Sequence, residues 1–309
     1  MSFIDKALER AKALHKKKEK PVSLAGLPNS AYASTSPEVA GITEREFTPQ
    51  DIFYTVTRVV AVDPENLRRH RLLAGGGEAE AAVAEGYKVL RTHILQRTAE
   101  EGHNTLMITS PLPGEGKTLT AINLAISISQ GLNYTVLLVD ADLRFPSISK
   151  YFGLADEPGL ADHLTSGVPI DELLIHPEGL AKLVILPAGQ PVSQAAELLN
   201  SPLMRDLVQE LKHFYTNRYV IFDLPPVLTF ADALAFAPLM DGIILVIEAG
   251  KTAREEIERC QELLKKFRLL GFVLNKAEKT KNLGYYQGYY DYKKPARGAK
   301  RKFKFPFFK

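Results

Sequence analysis

A single cysteine, Cys260, stands in a chain of 309 residues. No intramolecular disulfide can form, which excludes a secreted scaffold held by disulfides and fits a reducing compartment. Long hydrophobic runs are also scarce. The longest uncharged stretch, residues 119–139, is interrupted by Asn123, Ser127, Ser129, Gln130, Gly131 and Asn133. The Gln130-Gly131 pair divides it into a helix-like half and a strand-like half, which argues against a membrane span. The opening MSFIDKALERAKALHKKKEK carries Asp5 and Glu9 where an export signal places its apolar segment, so a cytoplasmic chain is expected. The seven histidines, among them His163, His176 and His213, show no metal-ligand spacing with one another, and no zinc or iron site is expected. No internal repeat is visible.

What is present is ordinary for a folded protein of one or two domains: 45% hydrophobic and 24% charged residues, a balance that leaves little room for wholesale disorder. The net charge of +3 conceals an asymmetry, because Lys293 to Lys309 holds eight Lys or Arg and no acid, leaving −5 on the remainder. A basic end on an acidic body points to an anionic partner for that end. Residues 1–20 set Ile4, Leu8, Ala11 and Leu14 at helical spacing, a short amphipathic helix suited to docking. Residues 21–77 read as a linker and a small N-terminal unit, with IFYTVTRVVAV as its strand and the glycine run 75–77 at its end. A helix is expected over 78–98.

From Asn104 onward, short apolar runs (TLMIT, TVLLVD, KLVILP, YVIFD, GIILVIE, GFVLN) alternate with longer amphipathic stretches. This pattern predicts an α/β domain over 78–280, a three-layer, mostly parallel sheet with helices covering both faces of its strands. The run TLMIT leads directly into Ser110-Pro111-Leu112-Pro113-Gly114-Glu115-Gly116-Lys117-Thr118, and the helix LTAINLAISIS follows. Strand, glycine loop and helix in that order bring backbone N–H groups and a helix N-terminus onto phosphate oxygens. Lys117 would neutralise the β- and γ-phosphates, and the Thr118 hydroxyl would reach Mg²⁺. VLLVDAD places Asp140 and Asp142 at a strand's carboxyl end, and YVIFD places Asp223 at another, the edge where open α/β sheets bind ligands. Any one of these aspartates alone reads equally well as a helix cap or turn residue.

PGEGKT, DADLRFP and FDLPP resemble, in order and spacing, the Walker A, Walker A′ and Walker B motifs of the bacterial tyrosine kinases, a branch of the P-loop ATPases that includes the MinD and ParA proteins. The resemblance covers residues 78–292. It implies a P-loop kinase fold, ATP and Mg²⁺ as cofactors, and transfer of the γ-phosphate to tyrosine. Pro113, Gly114, Glu115, Gly116, Lys117, Thr118 and Leu119 would form the nucleotide loop, with Asn275 against the base. Thr118, Asp140 and Asp223 would hold the metal, and Lys117, Asp140 and Asp142 would serve catalysis, Asp140 as base or orienting group for the phenol. The family's oligomerisation motif is matched by Glu85, Lys88 and Arg91 in EGYKVLR. Lysine at its centre keeps the charge without the bidentate fork of arginine. Leu112 stands where the MinD and ParA proteins carry a signature lysine. The start MSFIDKALERA is similar to kinases of exopolysaccharide gene clusters, which implies a transmembrane chain-length regulator as activator and a place at the inner face of the cell membrane.

Tyr285, Tyr286, Tyr289, Tyr290 and Tyr292 fall in NLGYYQGYYDY, five of twelve tyrosines within residues 281–292. Gly284 and Gly288 interrupt any apolar period there. The segment reads either as an aromatic stacking surface or, as the resemblance implies, as phosphoacceptors modified in trans within a homo-oligomer. The basic end, residues 293–309, interleaves Phe303, Phe305, Phe307 and Phe308 with lysines. It reads as a solvated tail or as a contact for an anionic membrane surface; no nucleic acid partner is expected. Cys260 shares a helical face with Ile257, Leu264 and Phe267 and is expected in the core. A MinD- or ParA-like switch ATPase and a nucleotide-dependent scaffold of a polysaccharide assembly complex share the same expected fold, and only chemistry separates them.

Overall fold

The computed structural model describes residues 57–74, 80–154, 157–180, 182–213 and 217–277. The amphipathic start, the linker, the glycine run 75–77, the tyrosine cluster and the basic end lie outside them. Eight strands pair in one sheet: β1 (Arg58–Val60), β2 (Thr105–Thr109), β3 (Thr135–Asp140), β4 (Ile175–Pro177), β5 (Leu183–Leu186), β6 (Arg218–Asp223), β7 (Gly242–Glu248) and β8 (Leu269–Asn275). Their spatial order is β1-β4-β5-β3-β6-β2-β7-β8. Every neighbouring pair is parallel except β4 with β5.

Alternation along the strands divides the interior into two cores. Met107, Leu137, Val139, Val220 and Phe222 face one, together with Met204, Leu207 and Val208 of the helix Pro202–His213 and with Cys260 and Leu264 of the helix Arg254–Leu264. Leu106, Ile108, Val136, Leu138, Tyr219 and Ile221 face the other. This is the expected three-layer arrangement, and Cys260 is buried in it as expected. The helix Lys117–Ser129 lies in the second core, with Ala121, Ile122, Leu124, Ala125 and Ile126 all withdrawn from solvent. It is enclosed between the sheet and the helix Glu80–Thr98, which contributes Ile94. A helix covered on both sides has no need of a polar stripe, and each fully buried Leu or Ile contributes about 1.5–3 kcal/mol. That burial fixes the helix N-terminus against the sheet edge.

Two expectations need correction, and one strand carries no signal in the sequence. The strand expected in IFYTVTRVVAV is confined, within the described residues, to Arg58–Val60, where it pairs with β4. β4 itself, the sequence IHP, is too short and too polar at His176 to show as an apolar run. GFVLN is not covered on both faces: β8 ends the sheet, and Phe272 and Leu274 are exposed.

The topology brings the chemical groups together. β3, β6 and β2 are consecutive in the sheet and point the same way, with Asp140 in register with Asp223 and Asp223 in register with Ile108. The ends of β3 and β6 and the loop after β2 therefore share one edge.

Candidate active site

The loop from Ser110 to Gly116 turns on two glycines in the left-handed region, Gly114 at φ 82° and Gly116 at φ 95°. Its shape is held from outside. The Asn275 amide donates to the Glu115 carbonyl at 2.8 Å, and the Lys276 ammonium donates to the Gly114 carbonyl at 2.7 Å. In a trans peptide the carbonyl and the following N–H point opposite ways, so these two bonds turn the N–H groups of Glu115 and Gly116 away from β8. The helix Lys117–Ser129 begins without any side-chain cap at Gly116, which leaves its first amides available to an anion. A Cβ on Gly116 would lie 2.1 Å from Asn275 Nδ2. Gly116→Ala is therefore expected to weaken nucleotide binding at least about tenfold, and adding Asn275→Ala recovers only part, because the left-handed backbone still costs about 1–2 kcal/mol. Titration with a fluorescent nucleotide measures both.

Glu115, expected as a residue of the nucleotide loop, also braces that loop with its side chain. Its carboxylate is buried, accepts from the Leu112 N–H at 2.9 Å and accepts from the Thr252 hydroxyl. The Thr252 hydroxyl also accepts from the Glu248 N–H at 2.8 Å, linking the loop to the end of β7. Thr252 and Glu248 carry no motif, and only the pairing of β7 with β8 beside the loop reveals their part.

Lys117 lies in the first turn of its helix, two residues earlier than the apolar pattern begins. Its ammonium donates to Asp142 Oδ2 at 2.8 Å and lies 3.6 Å from Asp223 Oδ2. The Thr118 hydroxyl donates to that same Asp223 oxygen at 2.6 Å. Asp140 does two things at once: its Oδ2 accepts from the N–H groups of Ser147 and Ile148, both at 2.9 Å, so it caps the short helix Ile148–Phe152 while standing beside Asp223. Lys117, Thr118, Asp140, Asp142 and Asp223 are thus one cluster, while Pro113 and Leu119 flank the loop at its two ends.

Burial raises the carboxyls of Asp140 and Asp223 above the ordinary range, and the neighbouring Asp223 charge raises Asp140 further. Burial opposes the charge on Lys117, but Asp223, Asp142 and Asp140 outweigh it and raise the lysine above its usual value. Three carboxylates against one ammonium leave two negative charges uncompensated when all are ionised. Asp223 Oδ1 is buried without a hydrogen-bond partner. A hard dication fits both observations, since it supplies the charge and the missing partner for that oxygen.

The motif expected at an oligomer interface is divided. Lys88 pairs with Glu85 of the same helix at 3.1 Å on an exposed face, whereas Arg91 donates to the Ser127 carbonyl at 2.5 Å and ties two helices of one chain together.

The model for the CobQ/CobB/MinD/ParA nucleotide binding domain matches residues 106–301. The tyrosine-protein kinase YwqD of Bacillus subtilis is 36% identical over 223 residues, 71% of this chain and 92% of that protein. The chain belongs to the bacterial tyrosine-protein kinases. The succinoglycan biosynthesis transport protein ExoP of Rhizobium meliloti is 33% identical over 68% of this kinase, a match that spans 27% of ExoP. The kinase domain of the Escherichia coli tyrosine kinase ETK superposes with a TM-score of 0.58 at 28% identity, over 64% of this kinase and 78% of that chain. Among the described residues, no helix of the kinase is long and apolar enough to cross a membrane.

Proposed function

We propose that this kinase uses MgATP to phosphorylate its own C-terminal tyrosines, Tyr285, Tyr286, Tyr289, Tyr290 and Tyr292, in trans between copies. The observation that carries the reading is the cluster at the sheet edge: Lys117 set between Asp142 and Asp223 beside an uncapped helix start, with Thr118 bonded to Asp223. Lys117 and the loop amides would bind the β- and γ-phosphates, and Asn275, at the outer edge of the loop, would lie on the side of the base. Thr118 and Asp223 would hold Mg²⁺, with Asp140 and Asp142 supporting its waters. Bound there, the ion would offset charge on the phosphate oxygens.

Catalysis in phosphoryl transfer is chiefly positioning and charge stabilisation. The phenol oxygen forms a bond to the γ-phosphorus, the bond from that phosphorus to the β-bridging oxygen breaks, and ADP leaves with the electron pair. The phenol proton, from a group with a pKa near 10, would pass to Asp140, the carboxylate at the end of β3. Asp142 keeps Lys117 aimed at the phosphates.

The setting we infer is polysaccharide production at the inner face of the membrane. The similarity to ExoP, a named succinoglycan biosynthesis transport protein of which the match spans 27%, supports a membrane-associated partner. The basic, aromatic end at 293–309 supports an anionic surface nearby. Incubation of the full chain with MgATP, followed by peptide mapping, is expected to place phosphate within residues 285–292. Replacing all five tyrosines with Phe is expected to remove it. Phosphate found on other tyrosines would overturn the acceptor assignment and leave the kinase family intact.

A further inference from the structure

The loops after β3 and β6 carry an aromatic feature that the phosphate chemistry does not use. Phe145 is 67% exposed, three residues past Asp142, and its N–H donates to Asp142 Oδ1 at 3.0 Å. Its ring lies 5.9 Å from that of Phe230, centroid to centroid, at an angle of 47°. Beneath them Arg144 is fixed. Its guanidinium forms a two-point bond to the fully buried Asp232 at 2.7 and 3.0 Å, donates to the Ser193 carbonyl at 3.1 Å and lies 5.2 Å from the centre of the Phe230 ring.

We infer that Phe145 and Phe230 form the platform on which the acceptor tyrosine ring of a second copy docks, with Arg144 as the residue that positions them. The inference rests on the proposed trans phosphorylation. A phenol delivered to Asp140 and Asp142 must be held by its ring, since its one polar atom is the reacting oxygen. Tilted and edge-to-face aromatic contacts provide that hold without a charged partner. The placement selects the acceptor over the nucleotide base. In the sheet order, β3 and β6 lie on one side of β2 and its phosphate loop, while β7 and β8, with Asn275 and Lys276, lie on the other. Phe145 is therefore on the flank of the acids. Rigidity supports the same reading, because four hydrogen bonds and a cation–π contact hold a surface-exposed segment in one shape.

The test uses the full chain with its five C-terminal tyrosines replaced by Phe, so that only added acceptors are modified. Two acceptors are supplied, a synthetic peptide of residues 281–293 and a random copolymer of glutamate and tyrosine. Phe145→Ala and Phe230→Ala are each expected to raise the acceptor KM about tenfold with a much smaller change in kcat. Phe145→Trp, which keeps a ring, is expected to restore KM to within about threefold of the parent. Nucleotide affinity, measured by fluorescent nucleotide binding, is expected to stay within about twofold. An unchanged acceptor KM in Phe145→Ala overturns the platform, as does a loss of nucleotide affinity, which would assign the ring to the base. If the copolymer is modified and the peptide is not, the acceptor assignment falls, and the copolymer KM still decides the platform.

Discussion

Lys117→Met is expected to reduce tyrosine phosphorylation by at least about 10²–10³-fold, the loss usual for removal of one preorganised group that stabilises transition-state charge. Intact-mass spectrometry after incubation with MgATP reads it directly. The structure adds a second effect of the same substitution. Lys117 is the cation that faces Asp142 at 2.8 Å and Asp223 at 3.6 Å, and taking one partner out of a buried ion pair costs about 3–5 kcal/mol. The variant is therefore expected to melt at a lower temperature at pH 8 and to regain part of that loss near pH 5.5, where the raised carboxyls take up protons. Measuring phosphorylation at a pH where circular dichroism shows a folded chain separates lost chemistry from lost fold. Residual phosphorylation above about a tenth of the parent would mean that the loop amides and metal suffice without the lysine.

Asp223→Asn is expected to have opposite effects on activity and stability. Activity is expected to be lost, because the residue that holds Thr118 and whose unpartnered oxygen would serve the proposed Mg²⁺ no longer carries charge. Stability of the nucleotide-free chain rises at pH 8. A carboxyl whose folded pKa lies above its unfolded value, near 3.9, contributes stability below the unfolded value and loses it as pH rises through the folded one. Burial places Asp223 in that class. Its charge also raises Asp140, so removing it relieves two groups. In magnesium-free buffer the parent is expected to lose more melting temperature between pH 5 and pH 8 than the variant, at about 2–4 °C for each kcal/mol recovered. A variant that melts lower than the parent at pH 8 would show that the attraction of Asp223 to Lys117 outweighs its burial.

The platform at Phe145 bears on regulation of the same reaction. Phosphate added to one tyrosine brings about −1.5 to −2 charges to a segment whose neighbours must still reach a site containing three carboxylates. Under the proposed trans reaction successive acceptors would be progressively repelled, and the proposed aromatic contact would oppose that repulsion.

Much of the site was readable in one dimension because its chemistry is local. Gly114 to Thr118 is a contiguous loop whose geometry needs glycine at fixed positions, and TLMIT, TVLLVD and YVIFD each announce a buried strand that ends at a polar group. Short, wholly apolar strands between amphipathic helices have few arrangements that bury them, so the layered fold followed from the pattern. Residues that act through space left no such mark. Asp241 stands just before the apolar run GIILVIE and accepts the N–H groups of Asn104 and Thr105 at the start of β2, away from the phosphate loop. Glu115 reads as part of the phosphate loop and proves to be its brace, through Thr252, more than a hundred residues away. Arg91, expected at an oligomer interface, also bonds within the chain, to the Ser127 carbonyl, a contact that no motif announces. By itself the sequence determined the sheet, the loop and the three aspartates, since periodicity and short-range backbone geometry belong to neighbouring residues. Only the tertiary structure decided which aspartate bonds to Lys117, what holds the loop open and which aromatic rings meet beside it, because strand order in a sheet is set by packing among segments far apart in the chain.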